Sequence, residues 1–311
     1  MGHNLFLGMY TFKIKKYYTS DIDFIENNDF LSRAYPEHKN KFAEGFVQDI
    51  ISLIDNKAYK NNLNTHGAIL DEKSINISAR TLDIIIDGGL TGIKQFIIDE
   101  SGNKSILSDK EIVGLKFYAR IWLPANTKTG YLFIQKYGSL SIKPIFDSIL
   151  QKVLNKRGYS LAYNRLFPAT TIIRQKEFLK HSTLKDVIIV SHYSTHDTGA
   201  ADASSATIKL KNIVRTKNKG LEMEDVSAAL KNHGFSIANR NYEIKATYEQ
   251  VTADYKEEKT VSIDDTEETI NVIPNIVIPP YCIDIDNYPI LSQLQNFVDK
   301  EMMQVKKEAK L

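Results

Sequence analysis

Three apolar stripes at helical spacing, set among short runs of branched and aromatic residues, limit what this chain can fold into. Phe42, Phe46, Val47, Ile50, Ile51 and Ile54 line one side of a helix. Ile145, Phe146, Ile149, Leu150, Val153 and Leu154 do the same behind Pro144, and Gly158 follows as a stop. Proline suits a first helical turn, where its missing N–H costs nothing. Ile290, Leu291, Leu294, Phe297, Val298, Met302 and Val305 form the third stripe. Lys306, Lys307 and Lys310 load its end, where cations meet the negative pole of a helix.

The intervening segments read as strands. Residues 5–15 form an aromatic and branched run, followed by an irregular polar stretch. Residues 66–136 form a β-rich unit with short strand candidates at 68–70, 76–78, 82–86 and 93–98. Asp87-Gly88-Gly89 and Ser101-Gly102-Asn103-Lys104 read as turns, because glycine reaches positive φ without steric cost. Residues 114–123 and 131–136 make a hairpin around 126–130. The second half mixes strands at 186–192, 206–210 and 242–250 with a helix at 224–233. An acidic stretch at 256–272 has strand-like ends around a loop at 264–266, and Pro274, Pro279 and Pro280 force an extended connector. The expected fold class is α+β. An antiparallel β-rich N-terminal domain with a packed helix spans 1–157. A basic mixed α/β domain spans 158–311 and ends in the amphipathic helix.

Charge is segregated along the chain although the formal net charge is only +2. Residues 143–220 carry fourteen Lys/Arg against five Asp/Glu, whereas 249–286 carry ten acids against two lysines. A concentrated basic field attracts polyanions, and an acidic segment on the same chain competes for it. The densest part packs five cations, Lys209, Lys211, Arg215, Lys217 and Lys219, into eleven positions without an acid. Lys209 and Lys211 alternate with Ile208 and Leu210, which on a strand places both on one face. Arg165, Arg174, Lys176 and Lys180 add to the field. Such a patch gives mainly sequence-independent, salt-sensitive affinity for phosphates. The bland reading of the same residues is a solvated surface loop. Tyr17 and Tyr18 beside Lys15 and Lys16 offer aromatic faces next to cations, or simply end a strand.

Catalytic signatures are weaker. His192-Tyr193-Ser194-Thr195-His196-Asp197 is the one His/Asp cluster, with His181 and His233 as distant candidates, but it lacks zinc-site spacing. Asp83 or Asp87 with Glu100 and Lys94 sketches a restriction-type nuclease core, without the usual Glu-x-Lys pairing. Phosphate loops and nucleophile elbows are absent. No catalytic residue, metal ligand or cofactor is therefore assigned. Cys282 is the single cysteine and sits in an apolar context, which predicts a buried, unreactive thiol. No apolar run reaches the roughly 18–20 residues that span a bilayer, and the first residues lack the features of a signal peptide. A cytoplasmic protein is expected.

The opening strand Met9-Tyr10-Thr11-Phe12-Lys13-Ile14, the run Gly130-Tyr131-Leu132-Phe133-Ile134-Gln135-Lys136-Tyr137-Gly138 leading into the 145–154 helix, and the extended connector before a Lys-tipped helix occur in a telling order. That order resembles the RexA phage-exclusion family and, more loosely, the B components of the Kiwa anti-phage system. The acidic segment at 249–286 has no counterpart in the resemblance. The resemblance implies a cytoplasmic homo-oligomer that binds double-stranded DNA without much sequence preference and works with a small membrane-protein partner. The reading from charge and resemblance together is a non-enzymatic DNA-binding protein of an anti-phage system. Its cations would be Lys209, Lys211, Arg215, Lys217, Lys219, Arg165 and Arg174. A metal-dependent nuclease or hydrolase, and a protein–protein adaptor, are the alternatives. The acidic segment is expected to shield the basic surface until DNA displaces it.

Overall fold

The computed structural model describes residues 5–92, 94–108, 110–194, 207–215, 227, 230–231, 242–251, 256–263 and 272–311. The chain divides into two units, one of residues 1–169 with 275–311 and one of residues 170–274. The expected boundary near 157 is thus replaced by an insertion, and the C-terminal helix belongs with the N-terminal sheet.

The first unit is built on strands β1 (Leu5–Lys16), β2 (Tyr59–Lys60), β3 (His66–Asn76), β4 (Thr81–Leu90), β5 (Gln95–Ile98), β6 (Lys104–Leu107), β7 (Val113–Trp122), β8 (Thr129–Tyr137), β9 (Leu140–Ser141), β10 (Tyr159–Leu161) and β11 (Phe167–Ala169). Its helices are α1 (Asn27–Ala34), a π-helix (Lys41–Val47), α2 (Gln48–Ile54) and α3 (Lys143–Lys156). The second unit contributes α4 (Ile172–His181), β12 (Thr183–Ser194), β13 (Thr207–Arg215), β14 (Tyr242–Val251) and β15 (Lys256–Ile263). The chain then returns through β16 (Ile276–Val277) to α5 (Leu291–Ala309).

In the first unit a ten-stranded antiparallel sheet runs β10-β1-β8-β7-β4-β3-β2, with β11 and β16 also on β1 and β9 on β8. One side of β1 serves three short strands in succession: β16 at Phe6–Leu7, β11 at Met9–Thr11 and β10 at Ile14–Lys16. Strand periodicity divides β1 between two cores. Tyr10, Phe12 and Ile14 join a core covered by α1, the π-helix, α2 and α3, whereas Leu5, Leu7 and Met9 join a second core under α5. Covering both faces explains why β1, β4, β7 and β8 read as nearly continuous apolar runs. On α5, Leu294, Phe297, Val298, Met302 and Val305 are buried. Each such side chain stabilises by about 1.5–3 kcal/mol in gross burial.

The predicted turn at Asp87-Gly88-Gly89 is instead the interior of β4. Gly89 is paired with Gly67 of β3 and with Gly114 of β7, forming a glycine row across three strands. A Cβ on Gly89 would lie 1.9 Å from the Val113 carbonyl oxygen, so close backbone approach and not a turn requires glycine here. The predicted turn at 101–104 does close the small β5–β6 hairpin.

The second unit holds a four-stranded antiparallel sheet ordered β13-β12-β14-β15. Leu184, Val187, Ile189, Ile244, Ala246 and Tyr248 pack with Phe178 of α4, Leu230 and Val272 into one core. Most of the expected 224–233 helix lies outside the described residues.

Candidate nucleic-acid interface

Among the described residues β13 is an edge strand, and its register fixes where the basic run sits. Val214 and Asn212 pair with Val187 and Ile189, both fully buried, so those positions belong to the core face. Lys209, Lys211, Ile213 and Arg215 occupy the alternate positions, on the opposite face. Across from them on β12 stand His192, Val190, Ile188 and Asp186. Arg215 therefore lies on the strand, and not in the following loop, with the carboxylate-bearing position Asp186 opposite. The positions paired with Lys209 and Lys211 are His192 and Val190. Lys217 and Lys219 lie outside the described residues.

The remaining cations of the basic region divide between the two units. Lys143 pairs with Asp147, Lys156 and Arg157 with Asp49, and Arg157 also with Glu37, all within the first unit. Arg174, on α4, pairs with Glu177 at 2.9 Å. Thr171 caps that helix by accepting the Arg174 N–H. Arg165 belongs to the first unit, where its guanidinium lies 4.7 Å over the Phe167 ring. Arg165 and the β13 cations thus belong to different compact units, and Arg174 is held by a neighbour on its own helix.

The acidic segment is partly neutralised by its own surroundings. Glu249 of β14 and Glu258 of β15 share Lys185 and Lys256: Lys185 Nζ lies 2.6 Å from Glu258 and 3.6 Å from Glu249, and Lys256 Nζ lies 2.5 Å and 3.1 Å from Glu249 and Glu258. A register shift between Leu184 and Asp186 leaves Lys185 outside the ladder. The two lysines hold the Glu258 carboxyl down at about 2, Lys185 foremost. β15 and β13 occupy opposite edges of the sheet with two strands between them. That is about 14 Å at ordinary strand spacing. The strand part of the acidic segment therefore does not lie against β13. The 264–271 stretch lies outside the described residues.

Two loops of the first unit bring aromatic rings and cations together. Tyr17 and Tyr18 follow β1 in a turn, with rings 4.5 Å apart, edge to face. In the second loop Tyr163 meets Phe167 edge to face at 5.7 Å, and the Arg165 cation lies over the Phe167 ring. The sequence pointed to Tyr17, Tyr18 and Arg165 separately. Tyr163 was missed, and its loop is tied to the first one by its backbone N–H, which donates to Asp21 at 3.0 Å.

The carboxylates drawn as a nuclease core are engaged otherwise. Asp83 is buried beneath α5 and accepts from Arg120 Nε at 2.6 Å, from Arg120 Nη2 at 3.2 Å and from the Tyr118 hydroxyl. Arg120 also donates to Asp299 of α5, and to the Met302 sulfur at 3.1 Å. Burial opposes the Arg120 charge, but Tyr118, then Asp83 and Asp299, outweigh it and raise its pKa. Burial, then the Asp83 charge, pushes the Tyr118 hydroxyl well above its ordinary range. An open polar cleft of about 720 Å³ adjoins this group, lined by Ser74, Asn76, Ser78, Gln295 and Asn296 among others. Asp83 spends its acceptor capacity on an arginine and a phenol, which suits a structural lock better than a divalent ion. Asp87, half exposed, shares Lys116 with Asp71 at 3.1 and 2.6 Å. Lys94 precedes the separate β5–β6 hairpin, and Glu100 sits in its turn. Among the described residues no group of three or more His, Cys, Asp or Glu is placed to hold a metal. His196 and His233 lie outside the described residues. Cys282 is buried, and desolvation pushes its thiol up to about 11, as its apolar context predicts.

No helix among the described residues is long and apolar enough to cross a membrane. Set against known protein families, curated proteins and solved structures, the chain matches none.

Proposed function

We propose that this chain is a non-enzymatic DNA-binding protein with little sequence preference, acting in a bacterial anti-phage exclusion response. The observation that carries the binding part is the position of Lys209 and Lys211. They stand two residues apart at alternate positions of β13, an edge strand among the described residues, and the paired positions on β12 are His192 and Val190. At about 3.4 Å per residue the two positions are ~7 Å apart. Phosphates ask for cations and donors at roughly regular spacing, and not for an exact constellation. The occupied state of Asp83 supports the non-enzymatic part. The anti-phage role, cytoplasmic location, homo-oligomeric state and small membrane-protein partner rest on the resemblance to the RexA and Kiwa families.

The test is binding of two unrelated duplex sequences by the wild type and by Lys209→Ser/Lys211→Ser. Comparable affinity for both duplexes, reduced equally by the double substitution, supports the reading. Absence of binding at low salt, or an unaffected variant, contradicts it. Plasmid cleavage with Mg²⁺ or Mn²⁺ that Asp87→Ala abolishes would move the assignment to the nuclease alternative.

One observation favours the adaptor reading as a second. The β5–β6 hairpin exposes Phe96, Ile97, Ile98 and Ile106, each more than half accessible. A two-stranded hairpin is marginal alone in water, and apolar clusters of this kind mark contact surfaces. Loss of self-association on Phe96→Ser/Ile106→Ser, with DNA binding intact, would assign the hairpin to assembly.

A further inference from the structure

We infer that the paired loops at Tyr17–Tyr18 and Tyr163–Arg165 form a stacking platform for unpaired DNA bases. The inference rests on the DNA-binding reading and deepens it, by naming a strand class and a second contact region.

The first loop is closed by Thr19, whose N–H and hydroxyl donate to the Lys16 carbonyl at 3.3 and 2.9 Å. It is anchored by Tyr17 N–H donating to the Gly158 carbonyl at 3.0 Å. Lys15 Nζ donates to the Thr19 carbonyl at 2.8 Å and pairs with Asp21 at 3.0 Å. Asp21 then accepts the Tyr163 backbone N–H at 3.0 Å, which ties the second loop to the first. The Tyr163 hydrogen bond, followed by Lys15, holds the Asp21 carboxyl below its usual range. The second loop is held from beneath by Gln151, whose amide donates to the Asn164 carbonyl at 2.6 Å.

Tyr18, Tyr163 and Asn164 all adopt the left-handed backbone region, with φ of +64°, +53° and +51°. That region is unusual for a bulky side chain, and residues held there cluster at functional sites. Burial does not explain the conformation. Tyr18 is 95% exposed, and Tyr17 and Tyr163 are nearly half exposed. A fixed, strained turn that presents aromatic rings to solvent is the arrangement that stacks bases.

The charges suit the backbone of such a strand. Lys16 and Arg165 are exposed, and among the described residues neither has an ion-pair partner. Lys13 lies over the Phe24 ring at 4.3 Å. Asp21 is neutralised by Lys15, which leaves exposed Asp23 as the opposing charge on this loop. A duplex hides its base faces in the stack, so exposed rings add little to duplex binding. An unpaired strand offers a face per base and a phosphate per step, which rings beside cations recognise without reading sequence.

The experiment is fluorescence anisotropy with labelled oligo(dT), a labelled duplex and free dTMP as competitor. It compares the wild type, Tyr18→Ala, Tyr163→Ala and Tyr18→Phe. Oligo(dT) binding is expected to weaken about tenfold for each alanine variant, to persist in Tyr18→Phe, and to resist dTMP at concentrations matched in nucleotide. Duplex binding is expected to stay unchanged in all three variants. Oligo(dT) affinity indifferent to both alanine substitutions overturns the platform, as does dTMP competing as well as the polymer. If the duplex binds through Lys209 and Lys211 while oligo(dT) does not bind, this inference alone falls. If neither probe binds, the DNA-binding reading falls with it.

Discussion

The two larger sheets among the described residues use charge in opposite ways. In the ten-stranded sheet, Arg120 and Asp83 meet at 2.6 Å with side chains only 3% and 2% exposed, covered by α5. In the four-stranded sheet, Lys185, Glu249, Lys256 and Glu258 meet at similar distances, with side chains 23–54% exposed. A buried charge has no water to fall back on, so removing its partner is costly. An exposed pair exchanges its partner for water at little cost. The first arrangement fixes α5 on the sheet, and the second is screened by solvent.

The largest effect is expected from breaking the buried lock. Arg120→Ala should destabilise the first unit by about 3–5 kcal/mol, read from urea unfolding. A variant as stable as the wild type would mean that the burial of this pair is not energetically meaningful. Next comes the glycine row. Gly89→Ala places a methyl against the Val113 carbonyl and should cost about 1–3 kcal/mol as overpacking. Gly102→Ala, in open space, is the control for composition, although its positive φ adds some strain.

Lys185→Ala should change stability less than either, because the pair is solvent-screened. Its signature is in pH. The Glu258 carboxyl is depressed to about 2 in the folded state. Its contribution is therefore complete above its unfolded value near ~4.3 and is lost as pH falls towards about 2. Thermal melts across that window should show a shallower acid limb in Glu258→Gln than in wild type. Identical limbs would remove Glu258 from the account. The smallest perturbation is chemical. Cys282, held protonated by burial, should resist alkylation at neutral pH until the first unit unfolds, and rapid labelling of the native protein would place the thiol at the surface.

What the sequence disclosed follows from the range of the signals. The α3 and α5 stripes, β1 and the β7–β8 hairpin are periodic over many residues, and periodicity survives without knowledge of neighbours. Helix α1 was missed because its anchor is polar: Asn27 is buried and its amide donates to the Pro124 and Thr129 carbonyls at 2.8 and 3.0 Å, about a hundred residues away in sequence. The insertion of the second unit was equally hidden, since the pairing of β16 with β1 and the packing of α5 against Leu5, Leu7 and Met9 reveal that the chain returns. For the interface, the alternation at Lys209 and Lys211 was legible, and the edge position of β13 was not. The sequence also read the basic region as one surface, whereas ion pairs within the first unit claim Lys143, Lys156 and Arg157. Arg120 in the middle of an apolar strand was the available sign of a buried carboxylate partner.

The most direct measurement is duplex affinity across a salt series, for the wild type and for Lys209→Ser/Lys211→Ser. The account predicts a straight fall of log affinity with log salt. The slope of the variant should be shallower by roughly 0.9 for each phosphate that the substitutions leave without a cation. Parallel lines for the two proteins would contradict it, as would an affinity that salt does not change.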